Sequence, residues 1–477
     1  MTRARIVPVF TALLLAGCAG MSHSAPQVVE LKGNTLGLDS RSVSIDAAWW
    51  TEFGDPQLDR LVEAGLAGNP TLDSALARVR SAQAAVSVQH AGQLPQVSAD
   101  GQVLDERFSE RYIIPPPYGG TTQWVPTAQV NFSWDIDLFG RQRALLAQAR
   151  SQADAARLDT AAARLTISTS VAQAYVGLAQ AYQQIRVADS FVSTRERALA
   201  YTNAQFHNQL ASRFDLSTAE TLLAVAQRAR VLATTQRDVL VHALARLVGR
   251  GADFYAAVTP PALALDRPPA VPDLLPADLL GRRPDLLAGQ ARINAALSGR
   301  RVARADFLPD INLQGLVGLS AIGLGPFFGP AAATFGGGGA IHVPIFEGGR
   351  LRARYRGATA DLDQAVADYN SSVLDAVRGS ADALTQVRSA DVDLAQEDQV
   401  VAGLRDTVRL NQVRITTGLG SRLDAIDSGF RLLEAEQTLV DLQANTLTRR
   451  VQLIAALGGG FRPPLATASA HAVQQHS

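Results

Sequence analysis

The sequence predicts a mixed α and β membrane protein whose chain contains two internal repeats, each with a β-hairpin and a pair of long helices. Three observations lead to this prediction. Short motifs recur at a fixed spacing, residues 141–208 and 350–417 contain no proline, and two turn-rich segments alternate apolar and polar residues. The composition agrees with extensive helix packing, because only 18% of the residues are charged and alanine and leucine are the most frequent residues.

The N-terminus has the pattern of a bacterial signal peptide. Arg3 and Arg5 precede an apolar run over residues 6–16, which is too short to span a bilayer in the mature protein. The run ends in the tetrapeptide Leu-Ala-Gly-Cys at Cys18, the only cysteine of the chain. This ending resembles a lipobox, so Cys18 is expected to carry covalent lipid, and Ala19 after it favours export to the outer membrane. The alternative is an ordinary signal peptide with a chance cysteine.

An internal repeat is the most informative feature of the chain. Two prolines in the first half recur 214 positions later, Pro70 as Pro284 (284 − 70) and Pro95 as Pro309 (309 − 95). Later motifs recur after 209 positions: Gly140-Arg141 as Gly349-Arg350 (349 − 140), Asp215 as Asp424 (424 − 215), and Gly249 as Gly458 (458 − 249). The register changes between Pro95 and the glycine, so a loop of different length is expected there.

Each half has the same order of elements. A shorter helix is followed by a turn-rich stretch, a very long helix, a tight break and a last helix. At about 1.5 Å per residue, a helix over residues 141–208 would be ~100 Å long, which suits a coiled coil or a tube across a compartment. The predicted helices are Thr71–Ala91, Arg141 to about His207 and Ser212–Val248, and then Asp285–Phe307, Arg350 to about Thr417 and Ser421–Leu457.

The first long helix carries two apolar stripes at coiled-coil spacing. One contains Leu165, Ala172 and Val176, and the other contains Leu178 and Tyr182. Two stripes imply packing partners on two sides, as in a closed ring of helices. A cytosolic coiled-coil scaffold would show the same spacing, and the signal peptide argues against it.

The turn-rich stretches, about 96–137 and about 310–346, are predicted to be membrane-spanning β-hairpins. Their limbs alternate apolar and polar residues, and residues 311–346 contain no Asp, Glu, Lys or Arg. Strands of ~9–11 residues cross a bilayer, so two hairpins would supply four strands. Four strands leave open edges, which are costly in lipid, whereas three chains (3 × 4) would close a barrel of 12 strands. The alternative is a pair of soluble hairpins that cap the helices.

Five short segments follow one another in order along the chain: Trp49-Trp50-x-x-Phe53-x-Asp55-Pro56-x-Leu58, Gly281-Arg282-Arg283-Pro284-Asp285, Phe307-Leu308-Pro309-Asp310, Pro344-Ile345-Phe346-Glu347-Gly348-Gly349-Arg350 and Ala456-Leu457-Gly458-Gly459-Gly460. Together they resemble the TolC family of outer-membrane factors, in its NodT-type lipoprotein branch. The resemblance implies a homotrimer, with a 12-stranded β-barrel in the cell outer membrane that is continued by a long α-helical barrel through the periplasm.

The resemblance also implies a function. The chain would be a passive conduit of a tripartite efflux system that exports small molecules such as drugs or toxic compounds. Its implied partners are a periplasmic adaptor (membrane fusion) protein and an inner-membrane pump of the resistance-nodulation-division type, besides outer-membrane lipid. The expected divisions are a signal peptide at 1–17, a lipid anchor and linker at 18–54, the first repeat at 55–250, a Pro-rich connector at 251–282, the second repeat at 283–460 and a disordered tail at 461–477.

No catalytic, nucleotide or nucleic-acid site is predicted. The chain has 44 basic and 44 acidic residues, without the basic footprint of a nucleic-acid binder. Its 7 histidines show no metal-ligand spacing. The Gly336–Gly339 run is followed by a predicted strand and by no lysine, which excludes a phosphate-binding loop. The covalent lipid on Cys18 is the only prosthetic group expected.

The second tight break between long helices is the predicted gate. Gly418 suits a helix C-terminus and Ser421 a helix N-cap, while Asp424 and Asp427 lie three positions apart on one face of the next helix. The residues alone are compatible with two carboxylates that only stabilise the helix N-terminus. The resemblance implies instead that they match the paired aspartates of the periplasmic constriction, so that three chains would form one ring of carboxylates.

The tip departs from the family pattern at three positions. Ile415 replaces the family's tip tyrosine, Gly420 replaces the arginine that would bond to the equivalent of Asp215, and Gln209 stands where glycine is common. The usual latch is therefore missing. The candidates to replace it are the repeat equivalents Arg213 and Arg422.

Two other functions fit parts of the sequence. A type I protein secretion system uses a conduit of the same fold, and only the partner pump distinguishes it. A periplasmic structural coiled coil without a pore would share the long helices, but it would not conduct ions across a planar bilayer.

Overall fold

The computed structural model describes residues 25–31, 45–111, 113–272, 274 and 279–462. The predicted signal peptide, the predicted lipid anchor at Cys18 and all but the first two residues of the predicted tail lie outside these residues. The described α-helices are α1 (Pro56–Gly68), α2 (Pro70–Ala91), α3 (Arg141–His207), α4 (Arg213–Leu247), α5 (Leu279–Arg282), α6 (Pro284–Ala305), α7 (Arg350–Thr416) and α8 (Arg422–Ala456). None of these described helices is both long and apolar enough to cross a membrane.

One antiparallel sheet contains all the described strands, and their order in the sheet is their order in the chain. Each repeat supplies one hairpin, and the hairpins join where β2 pairs with β3, with Val130 opposite Val317. Strands β1 and β4 form the two edges, so each has one side that no other described strand of the chain pairs with. The strands are β1 (Gln96–Arg107), β2 (Thr122–Ile136), β3 (Asp310–Ser320) and β4 (Ala333–His342).

The run Gly336–Gly339 lies inside strand β4, whereas the sequence pattern placed a strand only after it. Gly337 pairs with Gly315, and Gly339 pairs with Leu313. Glycine weakens an isolated strand, so it is the ladder to β3 that holds this segment extended. Local propensity counts against glycine in strands and therefore misled the prediction.

The chain folds as two compact units. One comprises the described residues within 25–30, 78–156 and 289–369 and contains the sheet. The other comprises the described residues within 31–77, 157–288 and 370–462 and contains the two turns between the long helices. Both repeats contribute to each unit, as expected when neither repeat can bury its apolar surface alone.

The second unit has a continuous hydrophobic core. Its largest fully buried side chains come from the segment before α1 and from α1, α3, α4 and α8, and they include Trp49, Leu58, Tyr175, Leu178, Leu244 and Leu447. Burial of such side chains stabilises the fold by ~1.5–3 kcal/mol each before chain entropy is counted. The core therefore fastens α3, α4 and α8 to one another.

Helix α3 has packing partners on two sides, as its two apolar stripes predicted. On one side, the Arg230 guanidinium of α4 lies 2.8 Å from the Asp189 carboxylate of α3. On the other, the Gln184 amide of α3 donates a 2.6 Å hydrogen bond to the Asp441 carboxylate of α8. Helices α4 and α8 thus flank α3.

Asp55 caps α1 and anchors a buried hydrogen-bond network. Its carboxylate accepts hydrogen bonds from the Gln57 N–H at 2.9 Å, the Tyr175 hydroxyl at 2.7 Å and the Ala262 N–H at 2.9 Å. Burial and the bond to Asp55 raise the pKa of Tyr175. Because the carboxylate is fully hydrogen-bonded, its burial is compatible with a stable fold, and the network fixes the start of α1 against α3.

The repeat is also visible in the packing of two glycines. Gly249 has a φ of 75° and lies so close to the Gly68 carbonyl that an added Cβ would overlap with it. Gly458 has a φ of 95° and lies in the same way against the Arg282 carbonyl. Residues 68 and 282 are themselves 214 positions apart (282 − 68). The two halves therefore use equivalent backbone contacts that only glycine permits.

Candidate functional site

The candidate site consists of the two turns at which long helices meet, the first between α3 and α4 and the second between α7 and α8. Helix α3 ends in a Schellman motif. The Leu210 N–H donates to the Gln205 carbonyl at 2.8 Å, and the Gln209 N–H donates to the Phe206 carbonyl at 3.0 Å. Gln209 has a φ of 62°, a left-handed conformation that side chains with a Cβ rarely adopt.

The second turn repeats this geometry with a glycine. The Leu419 N–H donates to the Arg414 carbonyl at 2.8 Å, and the Gly418 N–H donates to the Ile415 carbonyl at 3.0 Å. Gly418 has a φ of 78° and occupies the position that Gln209 has in the first turn, 209 residues earlier (418 − 209). A Cβ at Gly420 would lie only 3.0 Å from the Arg414 Cβ, so this turn has little space for a larger residue there.

The helices that leave the two turns are capped differently. Ser212 and Asp215 form a capping box at α4, in which the Ser212 N–H donates to the Asp215 carboxylate at 2.8 Å and the Asp215 N–H donates to the Ser212 hydroxyl at 3.2 Å. The Ser212 hydroxyl also donates to the Asp215 carboxylate at 2.6 Å. These bonds, the hydroxyl bond first, lower the pKa of Asp215 below its ordinary value. At α8, the Ser421 hydroxyl instead accepts from the Leu423 N–H at 3.1 Å, and no capping box forms. The carboxylate of Asp424 is therefore not used by its own N-cap.

Asp424 and Asp427 are both exposed and lie three positions apart on α8. The two carboxylates are not equivalent, since Asp427 lies 3.0 Å from the Arg431 guanidinium one turn further along α8. That ion pair compensates part of the charge of Asp427. Asp424 is thus the less compensated carboxylate of the pair.

The two arginines that the sequence suggested as latches have different surroundings in the structure. Arg213 is exposed at the start of α4. Arg422 begins α8, and its guanidinium carbon lies 5.7 Å from the centre of the Tyr201 ring on α3. Asp215, which a latch arginine was expected to bind, receives its hydrogen bonds from Ser212. Arg422 therefore lies near an aromatic ring, whereas Asp215 is hydrogen-bonded to the N-cap residue of its own helix.

The sequence interpretation did not identify the exposed apolar residues that each of the two turns carries. Leu210 and Phe214 on the first turn are 75% and 77% exposed, and their repeat equivalents Leu419 and Leu423 are 74% and 52% exposed. Such residues usually prefer burial, and an exposed patch of them marks an interaction site. Their recurrence after 209 positions (419 − 210, 423 − 214) was a signal in the sequence that would have found them.

One face of the sheet is apolar along its central part. Directly paired residues lie on the same face of a sheet, so the strand register defines the face. It comprises Val97, Ala99, Gly101 and Val103 on β1, Pro126, Ala128, Val130, Phe132, Trp134 and Ile136 on β2, Ile311, Leu313, Gly315, Val317 and Leu319 on β3, and Ala333, Phe335, Gly337, Gly339 and Ile341 on β4.

The opposite face of the sheet is mostly polar. Its side chains bond to one another along the sheet: the Asn131 amide donates to the Asp100 carboxylate at 2.6 Å, and the Asn312 amide donates to the Ser133 hydroxyl at 3.1 Å. The polar residues of this face are Gln96, Ser98, Asp100 and Gln102 on β1, Thr127, Gln129, Asn131, Ser133 and Asp135 on β2, and Asn312, Gln314 and Ser320 on β3. One face is suited to lipid and the other to water.

No grouping of three or more His, Cys, Asp or Glu side chains suited to a metal ion occurs in the part of the chain that the structure describes. The chain matches the family model described as "Outer membrane efflux protein" over residues 61–250 and 275–459. The two matched ranges are separated by residues 251–274.

Individual relatives and a solved structure are also similar to the chain. It is 32% identical to the fusaric acid resistance protein FusA of Burkholderia cepacia over 362 residues, 73% of this chain and 68% of the relative. It is 29% identical to the multidrug resistance outer membrane protein MdtP of Escherichia coli over 462 residues, 94% of each chain. The crystal structure of the outer membrane protein VceC of Vibrio cholerae is 30% identical, with a TM-score of 0.80 over 88% of this chain and 100% of that one.

Proposed function

This chain belongs to the outer membrane efflux protein family, and we propose that it serves a tripartite efflux system as the passive outer-membrane conduit for small molecules such as drugs or toxic compounds. It is an outer-membrane efflux channel that extends into the periplasm. The energy for transport would come from an inner-membrane pump of the resistance-nodulation-division type. The names of the relatives, one a multidrug resistance protein and one a fusaric acid resistance protein, support efflux over type I protein secretion.

The single observation that carries the proposal is the division of the sheet into an apolar and a mostly polar face. Paired side chains from Val97 on β1 through Phe132 on β2 to Gly315 on β3 lie on the apolar face, while Asn131 and Gln314 lie on the other. A closed barrel with this alternation presents apolar side chains to lipid and a polar lumen to solute. If the hairpins were instead a soluble cap on the helices, their outer face would contact water and would be expected to be polar.

The open edges support a homotrimer. The sheet has four strands and exposes the outer sides of β1 and β4. Unpaired backbone groups in lipid cost several kcal/mol each, so a single chain is unstable in the membrane. Three chains would close 12 strands (3 × 4), a size within the range of outer-membrane barrels.

The exposed apolar residues on the two turns support docking of a periplasmic adaptor protein. Leu210, Phe214, Leu419 and Leu423 would supply an apolar contact surface at the end of the long helices, which polar turns do not offer. Asp424 and Asp427, with Asp424 the less compensated, would line the constriction beside this surface and act as the gate.

The described N-terminal segment supports lipid attachment at Cys18. The Gln27 and Val28 N–H groups donate to the Asp363 carboxylate at 2.8 and 3.1 Å, and the Leu31 N–H donates to the Asn370 side chain at 2.8 Å. Followed backwards, the segment runs along α7 towards its first residue. The nine residues from Cys18 to Gln27 can span up to ~30 Å, while Asp363 lies thirteen residues, or ~20 Å, from the start of α7. A lipid on Cys18 can therefore reach the end of α7 that follows the sheet.

The test of the channel is conductance and mass of the purified protein. Detergent-solubilised chain should have a mass near three chains by light scattering, and it should conduct ions in a planar bilayer. A protein that forms no pore at any voltage would contradict the proposal and favour a structural coiled coil. A stable conducting monomer would refute the argument from open strand edges.

A further inference from the structure

Two contacts between an arginine and an aromatic ring fasten the tip end of α8 to α3. The guanidinium carbon of Arg195 on α3 lies 3.2 Å from the centre of the Phe430 ring on α8. In the reverse direction, the guanidinium carbon of Arg422 on α8 lies 5.7 Å from the centre of the Tyr201 ring on α3. Both distances fall within the ~6 Å over which a ring face attracts a cation. Each helix thus gives one cation and one ring.

The contact further from the turn is the more buried of the two. Phe430 is 7% exposed, and its ring stacks on Phe191 with a centroid separation of 6.3 Å and an interplanar angle of 13°. Phe191 and Arg195 lie one turn apart on α3, so Phe430 contacts both. Burial lowers the pKa of Arg195, while the nearby charges of Glu434 and Asp427 favour its charged form. A cation on a ring is held more strongly where water is excluded.

In the described turns, the carboxylate of Asp215 is not bonded to Arg213 or Arg422. Asp215 is instead bonded to Ser212. Resting on the proposed channel function, we propose that the Arg195–Phe430 and Arg422–Tyr201 contacts form the latch that holds α8 on α3 in the closed channel. Opening of the tip then requires that both rings separate from their cations. Arg422 is a latch residue, and Arg213 is not.

The internal repeat supplies a matched control. Arg213 has the same place at the start of α4 that Arg422 has at the start of α8, 209 residues later (422 − 213). The repeat equivalent of Tyr201 is Leu410, which has no aromatic ring (410 − 201 = 209). Arg213→Gln therefore removes the same charge from an equivalent helix start without removing a ring contact.

The experiment compares channel opening in planar bilayers for purified full-length trimers. We expect Arg195→Gln, Phe430→Leu, Arg422→Gln and Tyr201→Leu each to raise the open probability roughly two- to thirty-fold, the range that corresponds to loss of one such contact. Arg213→Gln and Tyr201→Phe should match the wild type, because the first spares both contacts and the second keeps the ring. Phe430→Tyr, which also keeps a ring, should stay closer to the wild type than Phe430→Leu.

Distinct results overturn the latch. An equal rise in open probability in Arg422→Gln and Arg213→Gln would show that loss of the positive charge, and not loss of the contact with the ring, causes opening. Wild-type gating in all four contact variants would show that the contacts only pack the helices. Light scattering of each variant distinguishes gating from failed assembly, and the ring-retaining variants test the latch if a leucine variant does not assemble. A wild-type protein that never conducts would refute the channel function itself, which is a separate outcome.

Discussion

Gln209 carries a local strain that its repeat equivalent avoids. Among the described residues it is the only non-glycine with a positive φ, at 62°, whereas Gly418 adopts 78° in the matching turn. The left-handed conformation costs a residue with a Cβ ~1–2 kcal/mol. Glycine avoids this cost, but it loses more conformational entropy on folding, which offsets part of the gain. The first turn is therefore less stable than it would be with a glycine at this position.

We predict that Gln209→Gly stabilises the first turn by up to ~1 kcal/mol, because it removes the strain and leaves the Schellman hydrogen bonds in place. Hydrogen exchange of amides 205–216 in the full-length trimer should slow. The matched control is Gly418→Ala, which introduces a Cβ at the same position of the second turn and should speed exchange there. Faster exchange in Gln209→Gly would show that the glutamine side chain makes a stabilising contact.

Asp215 gives the first turn a dependence on pH. Hydrogen bonds from Ser212 hold the pKa of Asp215 below its ordinary value of 3.8. Because this pKa is lower in the folded state than in the unfolded chain, the capping box stabilises the fold fully above pH 3.8. This stabilisation is lost as the pH falls through the lower pKa of the folded state. The start of α4 should therefore loosen in acid, and the start of α8, which has no capping box, should lack this particular transition.

The measurement is the mobility of a spin label at residue 208 as the pH is lowered from about 6 to about 2. We expect mobility to rise below the ordinary pKa of 3.8 in the otherwise wild-type chain. Asp215→Asn cannot form the charged capping box, so its label should be mobile throughout. A wild-type label that remains immobile over the whole range would mean that Leu210 and the Schellman bonds hold the turn without the box.

At the scale of one helix, the first turns of α8 determine the charge at the proposed gate. Asp427 is paired with Arg431 at 3.0 Å, an exposed pair of low stability worth ~0.3–0.5 kcal/mol. We predict that Asp424→Ala reduces cation selectivity and divalent block more than Asp427→Ala does, and that the double variant loses both. Arg431→Gln should increase selectivity, because it frees Asp427. Asp215→Ala should have the smallest effect.

This prediction is tested by measuring ion selectivity as the reversal potential across a salt gradient. Helix propensity favours alanine, so the alanine variants keep α8 intact apart from any lost charge–dipole stabilisation. If the double variant retains wild-type selectivity and block, the two aspartates serve only the helix N-terminus. The gate would then have to lie elsewhere along the conduit.

At the scale of the sheet, the two faces should tolerate charge differently. Val130 lies at the centre of the apolar face, opposite Val317, while its neighbour Gln129 lies on the polar face opposite Gly318. Arginine on the lipid face of a barrel costs ~2–4 kcal/mol near the midplane. We therefore predict that Val130→Arg lowers the yield of membrane-inserted trimer and that Gln129→Arg does not. Equal yields, measured by gel mobility of unheated membranes, would contradict the assignment of the faces.

At the scale of the whole molecule, the lipid and the barrel are predicted to anchor the chain independently. Labelled palmitate should mark the wild type and not Cys18→Ser, because Cys18 is the only cysteine. The unlabelled variant should still sediment with outer membranes, since a closed barrel remains embedded without a lipid chain. Equal labelling of both proteins would exclude acylation at Cys18.

Sequence alone determined the repeated architecture, because that architecture follows from local rules. Proline and glycine punctuate helices wherever they stand, so the long helices from Arg141 and Arg350 and the breaks after them were predictable. Alternation with a period of two likewise predicted the hairpins. The strand of glycines in β4 was not predictable, because its conformation depends on pairing with β3.

Only the tertiary structure decided which groups meet at the tip. The sequence offered Arg213 and Arg422 as equivalent latch residues and Asp215 as their acceptor. In the fold, Asp215 is hydrogen-bonded to Ser212. Arg422 lies over the ring of Tyr201, which is 221 residues away in the sequence (422 − 201). Such contacts depend on the side-by-side packing of α3 and α8 and on competition between donors for one acceptor. Neither is encoded in residue spacing, because spacing defines the face of a helix and not the neighbour it packs against.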